Sequence, residues 1–166
     1  TIVSNITESH GKVSSMETHD ETVLADKVVI VPGRDGSKWL TTICKKYDIP
    51  MVANQVDIGV RVETNDEIME EINEHLYEGK FIFRTSVGTT VRTFCSNPSG
   101  HVVVENHSGT MLANGHSYRD PKLGSRNTNF ALLVSHTFNE PFSQPNEFAH
   151  EVSKLANKLS NGSIII

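Results

Sequence analysis

Cysteine is nearly absent: Cys44 and Cys95 are the two in 166 residues, and no C-x-x-C occurs. A disulfide framework and a dithiol redox motif are thereby excluded, and a reducing compartment, the cytoplasm, is the expected location. Long apolar runs are missing too. Val28 to Val31 and Ile164 to Ile166 fall far short of the roughly 20 residues that span a bilayer, so no membrane partner is expected. The opening TIVSNITESHGK has neither the charged start nor the long apolar core of a secretion signal. Excess positive charge is also lacking. Fifteen Lys and Arg stand against 20 Asp and Glu, a net charge of -5 that gives no general pull toward nucleic acid. The eight histidines contain no H-x-H or H-x-x-x-H pair, so no metal centre is expected. A G-x-G-x-x-G loop does not occur; the glycines of PGRDGS are spaced G-x-x-G. What remains, 37% hydrophobic and 21% charged residues, is the composition of an ordinary globular protein.

Alternation at Ile2, Ser4 and Ile6, beginning at Thr1, predicts a strand; SHGK is a turn and KVSSMET the returning strand. ETVLA adds a third and leads to a buried strand over Val28 to Val31. Trp39, Leu40, Ile43, Cys44 and Tyr47 have the spacing of a helix with one apolar face, which places Cys44 in the core. NQVDIGVRVET reads as a strand, and Thr64 with Glu67 as a capping box for a helix carrying Ile68, Met69, Ile72 and Leu76. Four strands follow, KFIFRT, TVRTFC, HVVVE and TMLANG, separated by the turns SVG, NPSG and NHSG. Residues 114–129 are expected to be a long polar loop, FALLVSHTF a strand, and Pro145 the start of a helix with Phe148, Val152, Leu155, Ala156 and Leu159 on its apolar face. The expected fold is α+β: a mixed, largely antiparallel sheet with about three helices packed on it.

Several stretches are candidates for chemistry. The PGRDGS turn, with Gly33, Arg34 and Gly36, suits an anion at a helix start, and equally an ordinary strand-to-helix turn capped by Asp35 or Ser37. Cys95 closes a strand before a turn, where a thiol is either a nucleophile helped by His101 or His116 or a small apolar side chain of the core. Asn114, Asn127 and Asn129, with Arg119 and Arg126, suit planar or anionic ligands, or serve turn geometry. Gly59 interrupts a strand, which marks a bulge or a close approach, and Arg61 beside it binds an anion or pairs with Asp57 or Glu63.

Taken in order, VVIVPGRDGS, DIGVRVE, TFCSNPSGHVV, NGHSYRD and NTNFALLVS resemble the bacterial FAD-dependent dehydrogenases, also called NAD(P)/FAD-dependent oxidoreductases, over nearly all of residues 1–160. The resemblance implies FAD as cofactor, with NAD(P) in the family's name, and a phosphate-gripping loop that precedes residue 1. Residues 1–40 then belong to the late part of a flavin domain, and 41–166 to an inserted domain on the substrate side. It implies Cys95 and His116 as proton-transfer residues, and Gly33, Arg34, Gly36, Asn97 and Gly100 on the cofactor side. Asn114, Gly115, Asn127 and Asn129 fall on the substrate side, where Arg61 and Arg126 are candidates from their own chemistry. The expected partners are the remainder of the flavin domain and a small-molecule substrate. Activity belongs to the whole flavoprotein rather than to these residues alone. Where the broader family often has Cys-x-Cys-Pro-Gly-Gly, this chain has Cys95, Ser96, Asn97, Pro98, Ser99 and Gly100, so no second cysteine carries over. A noncatalytic ligand- or partner-binding domain and a self-contained thiol enzyme are the alternatives.

Overall fold

The computed structural model describes residues 2–139, 141 and 143–166. Thr1, expected to begin the first strand, lies outside them. The chain is α+β: the described residues form three α-helices and nine strands, every strand pairing antiparallel. It divides into two compact units, Thr1–Val52 and Ala53–Ile166.

In the first unit, β1 (Val3–Ser9), β2 (Lys12–Thr18) and β3 (Thr22–Leu24) form a sheet in that order. His10 and Gly11, at φ 54° and 76°, make the tight turn between β1 and β2 with the backbone sense that matches strand twist. The helix α1 (Ser37–Lys46) docks on β1. Trp39 Nε1 donates to Ser4 O at 3.4 Å, Lys46 Nζ to Asn5 Oδ1 at 2.6 Å, and the Tyr47 hydroxyl to Ile6 O. These bonds tie α1 to the meander within the first unit. Ile6 and Ile43 are buried, while Cys44 is half-buried.

Two expectations for this unit are corrected. Val28 to Val31 form no strand, and Val29 and Val31 are more than four-fifths exposed. A β-branched run becomes a strand only against a partner, and the sheet of this unit ends at β3. The helix cap is Gly36, with no side-chain hydrogen bond from Asp35 or Ser37. Gly36 is required sterically, because a Cβ there would overlap the Pro32 ring.

In the second unit, β4 (Val56–Asn65), β9 (Asn127–His136), β6 (Thr90–Asn97) and β5 (Ile82–Arg84) form one sheet in that order. β4 and β9 pair without interruption from Val56 opposite His136 to Asn65 opposite Asn127. Gly59 is therefore a close approach and not a bulge: a Cβ there would overlap the carbonyl oxygen of Leu132. The hairpin of β7 (His101–His107) and β8 (Thr110–His116) turns at Ser108 and Gly109, both at positive φ. α2 (Asp66–His75) follows β4, a 3-10 turn occupies Pro121–Leu123, and α3 (Pro145–Leu159) follows β9.

Again two expectations give way. Thr64 stays in β4, opposite Thr128, so the capping box with Glu67 does not form and Asn65 takes the cap position without a side-chain bond. The polar loop is shorter than residues 114–129, because β8 runs to His116 and β9 begins at Asn127. Asn114, Gly115, Asn127 and Asn129 are strand residues. The apolar faces of the helices are only partly covered: Ile68 of α2 and Leu155 and Leu159 of α3 are 60% exposed or more. No described helix is long and apolar enough to cross a membrane.

Candidate functional site

The register of the second unit's sheet breaks once, in β6. Phe94 faces Ala131 and Asn97 faces Asn129, so Cys95 and Ser96 together oppose the single residue Phe130. This is a β-bulge, and Cys95 sits in it at φ 50°. A non-glycine residue in the left-handed region costs on the order of 1 kcal/mol or more and persists only where its surroundings hold it. Here they do. The Cys95 N–H donates to Glu78 Oε1 at 2.6 Å, and its carbonyl accepts from Arg61 Nη2 and Asn97 Nδ2, both at 2.8 Å. Side chains from three other places in the chain replace the ladder bonds that the bulge gives up.

Arg61 comes from β4, and its partners are neither Asp57 nor Glu63. Asp57 is taken by Arg92, whose Nη2 lies 2.6 Å from it, and by the Ser135 hydroxyl. Arg61 instead reaches the middle strand, where Nε and Nη2 donate to Asn129 Oδ1 at 2.9 and 2.5 Å. Gly115 of β8 lies against this pair. A Cβ at 115 would overlap both Arg61 Nη2 and Asn129 Oδ1, so a glycine is needed for the guanidinium to lie where it does. Asn129 is completely buried, and its Nδ2 has no hydrogen-bond partner among the described residues. The Cys95 sulfur lies 3.6 Å from Asn97 Nδ2.

Two carboxylates organise the flanks. Asp66, first residue of α2, accepts from the Ser99 amide and hydroxyl and from the Thr128 hydroxyl. Burial raises its pKa, but the bonds from Thr128 and Ser99 outweigh that and leave it below the usual carboxylate value. Glu105 of β7 accepts from Asn114 Nδ2 at 2.8 Å and lies 3.1 Å from His107 Nε2 and 3.3 Å from His116 Nε2. The amide bond, followed by the two imidazole contacts, lowers its pKa from 4.5 to about 2.

The structure thus brings together Arg61, Cys95, Asn97, Gly115 and Asn129. Gly100 packs close by, where a Cβ would meet Asn97 and the His116 carbonyl. His116 makes no hydrogen bond to Cys95; its ring pairs with Glu105 and is largely exposed. Asn114 serves the same carboxylate, Arg126 is exposed with its carbonyl bonded to the Asp66 N–H, and Asn127 pairs with Asn65 at the sheet's end. Gly33, Arg34 and Gly36 belong to the first unit. Asn97 and Gly100 belong to the second, so neither unit by itself holds the whole set expected on the cofactor side. A groove of about 440 Å³ in the second unit runs along Arg92, Ser135 and His136 beside the Gly88–Thr90 turn, away from the bulge. No step is therefore assigned through a flavin here. Among the described residues no three His, Cys, Asp or Glu side chains cluster as metal ligands.

Glu78 and Glu105 were not singled out by sequence. Glu105 had a signal, since Glu105 and His107 are two apart in an alternating strand and so share a face. Glu78 lies in a turn and had none. Compared with models of known protein families and with curated proteins, the chain finds no match.

Proposed function

We propose that this chain is the substrate-side domain of an FAD-dependent oxidoreductase, accompanied by a meander from the flavin domain, and that it acts as part of the complete flavoprotein. One observation carries the reading. Four of the five ordered segments that resemble the family, DIGVRVE, TFCSNPSGHVV, NGHSYRD and NTNFALLVS, send Arg61, Cys95, Asn97, Gly115 and Asn129 to one point. Arg61 and Asn129 are 68 positions apart in sequence, and the pairing of β4 with β9 sets them side by side. The strained bulge there is the kind of feature that concentrates at working sites.

Uncovered apolar surface also favours a domain that meets more protein. Val29 and Val31 stand exposed beside the glycine turn in one unit, as do Ile82 and Phe83 on the edge strand β5 in the other. In this reading the chain positions a substrate and excludes water, while the hydride or electron chemistry is the flavin's own.

The test is the visible absorption spectrum and intact mass of the natural gene product, purified without added cofactor. The expected result is a flavin band on a protein heavier than the 18.4 kDa of this chain. A colourless product of this mass would remove the reading and leave a binding module in its place.

A further inference from the structure

Each unit leaves one apolar strand at the edge of its sheet. β3 ends the order β1-β2-β3 and β5 ends the order β4-β9-β6-β5, so among the described residues each is paired on one side only. Folded proteins commonly protect such an edge with a charge set inside the strand. Here the apolar residues are consecutive instead: Val23 and Leu24 in β3, and Phe81, Ile82 and Phe83 leading into and along β5. Leu24 is 81% exposed, Ile82 76% and Phe83 66%. Neighbouring strand residues point to opposite faces, so both faces of each edge are apolar, the pattern of a strand covered by more protein.

The charges stand at the ends of these runs, and they are opposite in sign. Glu21 and Asp26 flank the apolar residues of β3, and Lys80 and Arg84 flank those of β5; all four are exposed. Lys80 stands 3.7 Å from Glu78, while Glu21, Asp26 and Arg84 make no ion pair among the described residues. An antiparallel pairing that sets Val23 opposite Ile82 puts Leu24 opposite Phe81 and Glu21 opposite Arg84, with Asp26 one residue past the place opposite Lys80. Pairing like with like is poorer. β5 on β5, centred at Ile82, sets Lys80 against Arg84, and β3 on β3, centred between Val23 and Leu24, sets Glu21 against Asp26.

We propose that β5 of one copy of this chain is covered by β3 of a second copy, running antiparallel, with Glu21 of one meeting Arg84 of the other. Every copy carries both edges, so association either closes into a dimer or ring or continues as a filament. Strands of three residues bury little area, which places the association among weak ones. The pairing goes beyond the oxidoreductase reading and does not rest on it.

The test is the mass of this chain in solution, by sedimentation velocity from about 10 µM to about 1 mM, the range in which weak pairs form. The mass is expected to rise with concentration above the 18.4 kDa of one copy. Glu21→Arg and Arg84→Glu, each alone, set like charges opposite and should weaken the association by about fivefold. Both residues are exposed and unpaired in the single chain, so each variant should keep its fold. An equimolar mixture of the two variants is expected to recover association, because the altered strand of each then meets its opposite charge on the other. A mass of one copy throughout overturns the proposal, as does association that survives either reversal, or a mixture no stronger than its components. A natural product that associates in this way without flavin would keep the pairing and discard the oxidoreductase reading. A flavoprotein whose association ignores both substitutions would do the reverse.

Discussion

The two units bury different things. In the first, the buried side chains are Ile6 and Ile43 with the small Ser15, and a helix rests on a three-stranded meander in the ordinary way. In the second, the buried side chains among the described residues are Thr93, Thr110, Thr128 and Asn129, while Val60, Ile82, Phe83 and Leu155 are exposed. Apolar burial is non-directional and serves stability. A polar interior is directional. Three of the four fix a neighbour: Thr93 holds Gly79 and Phe81, Thr128 joins Asp66 to Asn73, and Asn129 holds Arg61. The first unit is built to stay folded; the second spends its interior on placing groups.

That contrast breaks most sharply at two residues. Gly59→Ala should destabilise the second unit by about 3 kcal/mol, because the clash is with the Leu132 carbonyl in the paired backbone of β9, which cannot step aside. Ile43→Ala should cost the first unit a similar amount, about 3 kcal/mol, through lost burial and a cavity. Trp39, the single tryptophan, lies in α1 and reports the first unit by fluorescence, while amide exchange in β9 reports the second. Each substitution is expected to lower its own probe's transition first. A loss of β9 protection in Ile43→Ala equal to the loss in fluorescence would show that the interiors are not separately held.

Asn129→Asp sharpens the comparison in the opposite direction. It gives Arg61 a carboxylate and removes the stranded amide, so the second unit should gain about 1 kcal/mol in thermal or urea unfolding. A variant that is less stable would mean that the orphaned amide carries no penalty.

Most strands were legible because alternation is a local property. Ile58, Val60 and Val62 announce β4, and Val91, Thr93 and their neighbours β6, whatever their partners. What was not legible depended on partners. Val28 to Val31 have every local mark of a strand and pair with nothing in their unit. Asn114, Asn127 and Asn129 carry the local marks of a loop, yet β8 and β9 take them in because the hairpin and the central pairing supply cross-strand bonds. The site followed the same division. Arg61, Cys95, Asn97 and Asn129 were visible as residues, but the bulge that joins them is a mismatch of register between β6 and β9, and a register exists only between two strands.

The smallest effect concerns acid. Glu105 has its pKa lowered to about 2 from 4.5, chiefly by the Asn114 amide and then by His107 and His116. A carboxyl whose folded pKa is depressed stabilises the fold fully above its unfolded value, and that contribution fades as pH falls from about 4.5 toward 2. The stability difference between the natural chain and Glu105→Gln should therefore be level above that window and shrink within it. In the first unit, bonds from Asn5 and Thr7 lower the pKa of Glu17 in the same direction. Carboxyl ¹³C titration separates the two. Asn114→Ala, which removes the leading cause, should move the Glu105 midpoint upward and leave that of Glu17 where it was. If the Glu105 midpoint stays put, the hold on that carboxylate comes from the imidazoles of His107 and His116, and the amide-bearing strand β8 is not what keeps it charged.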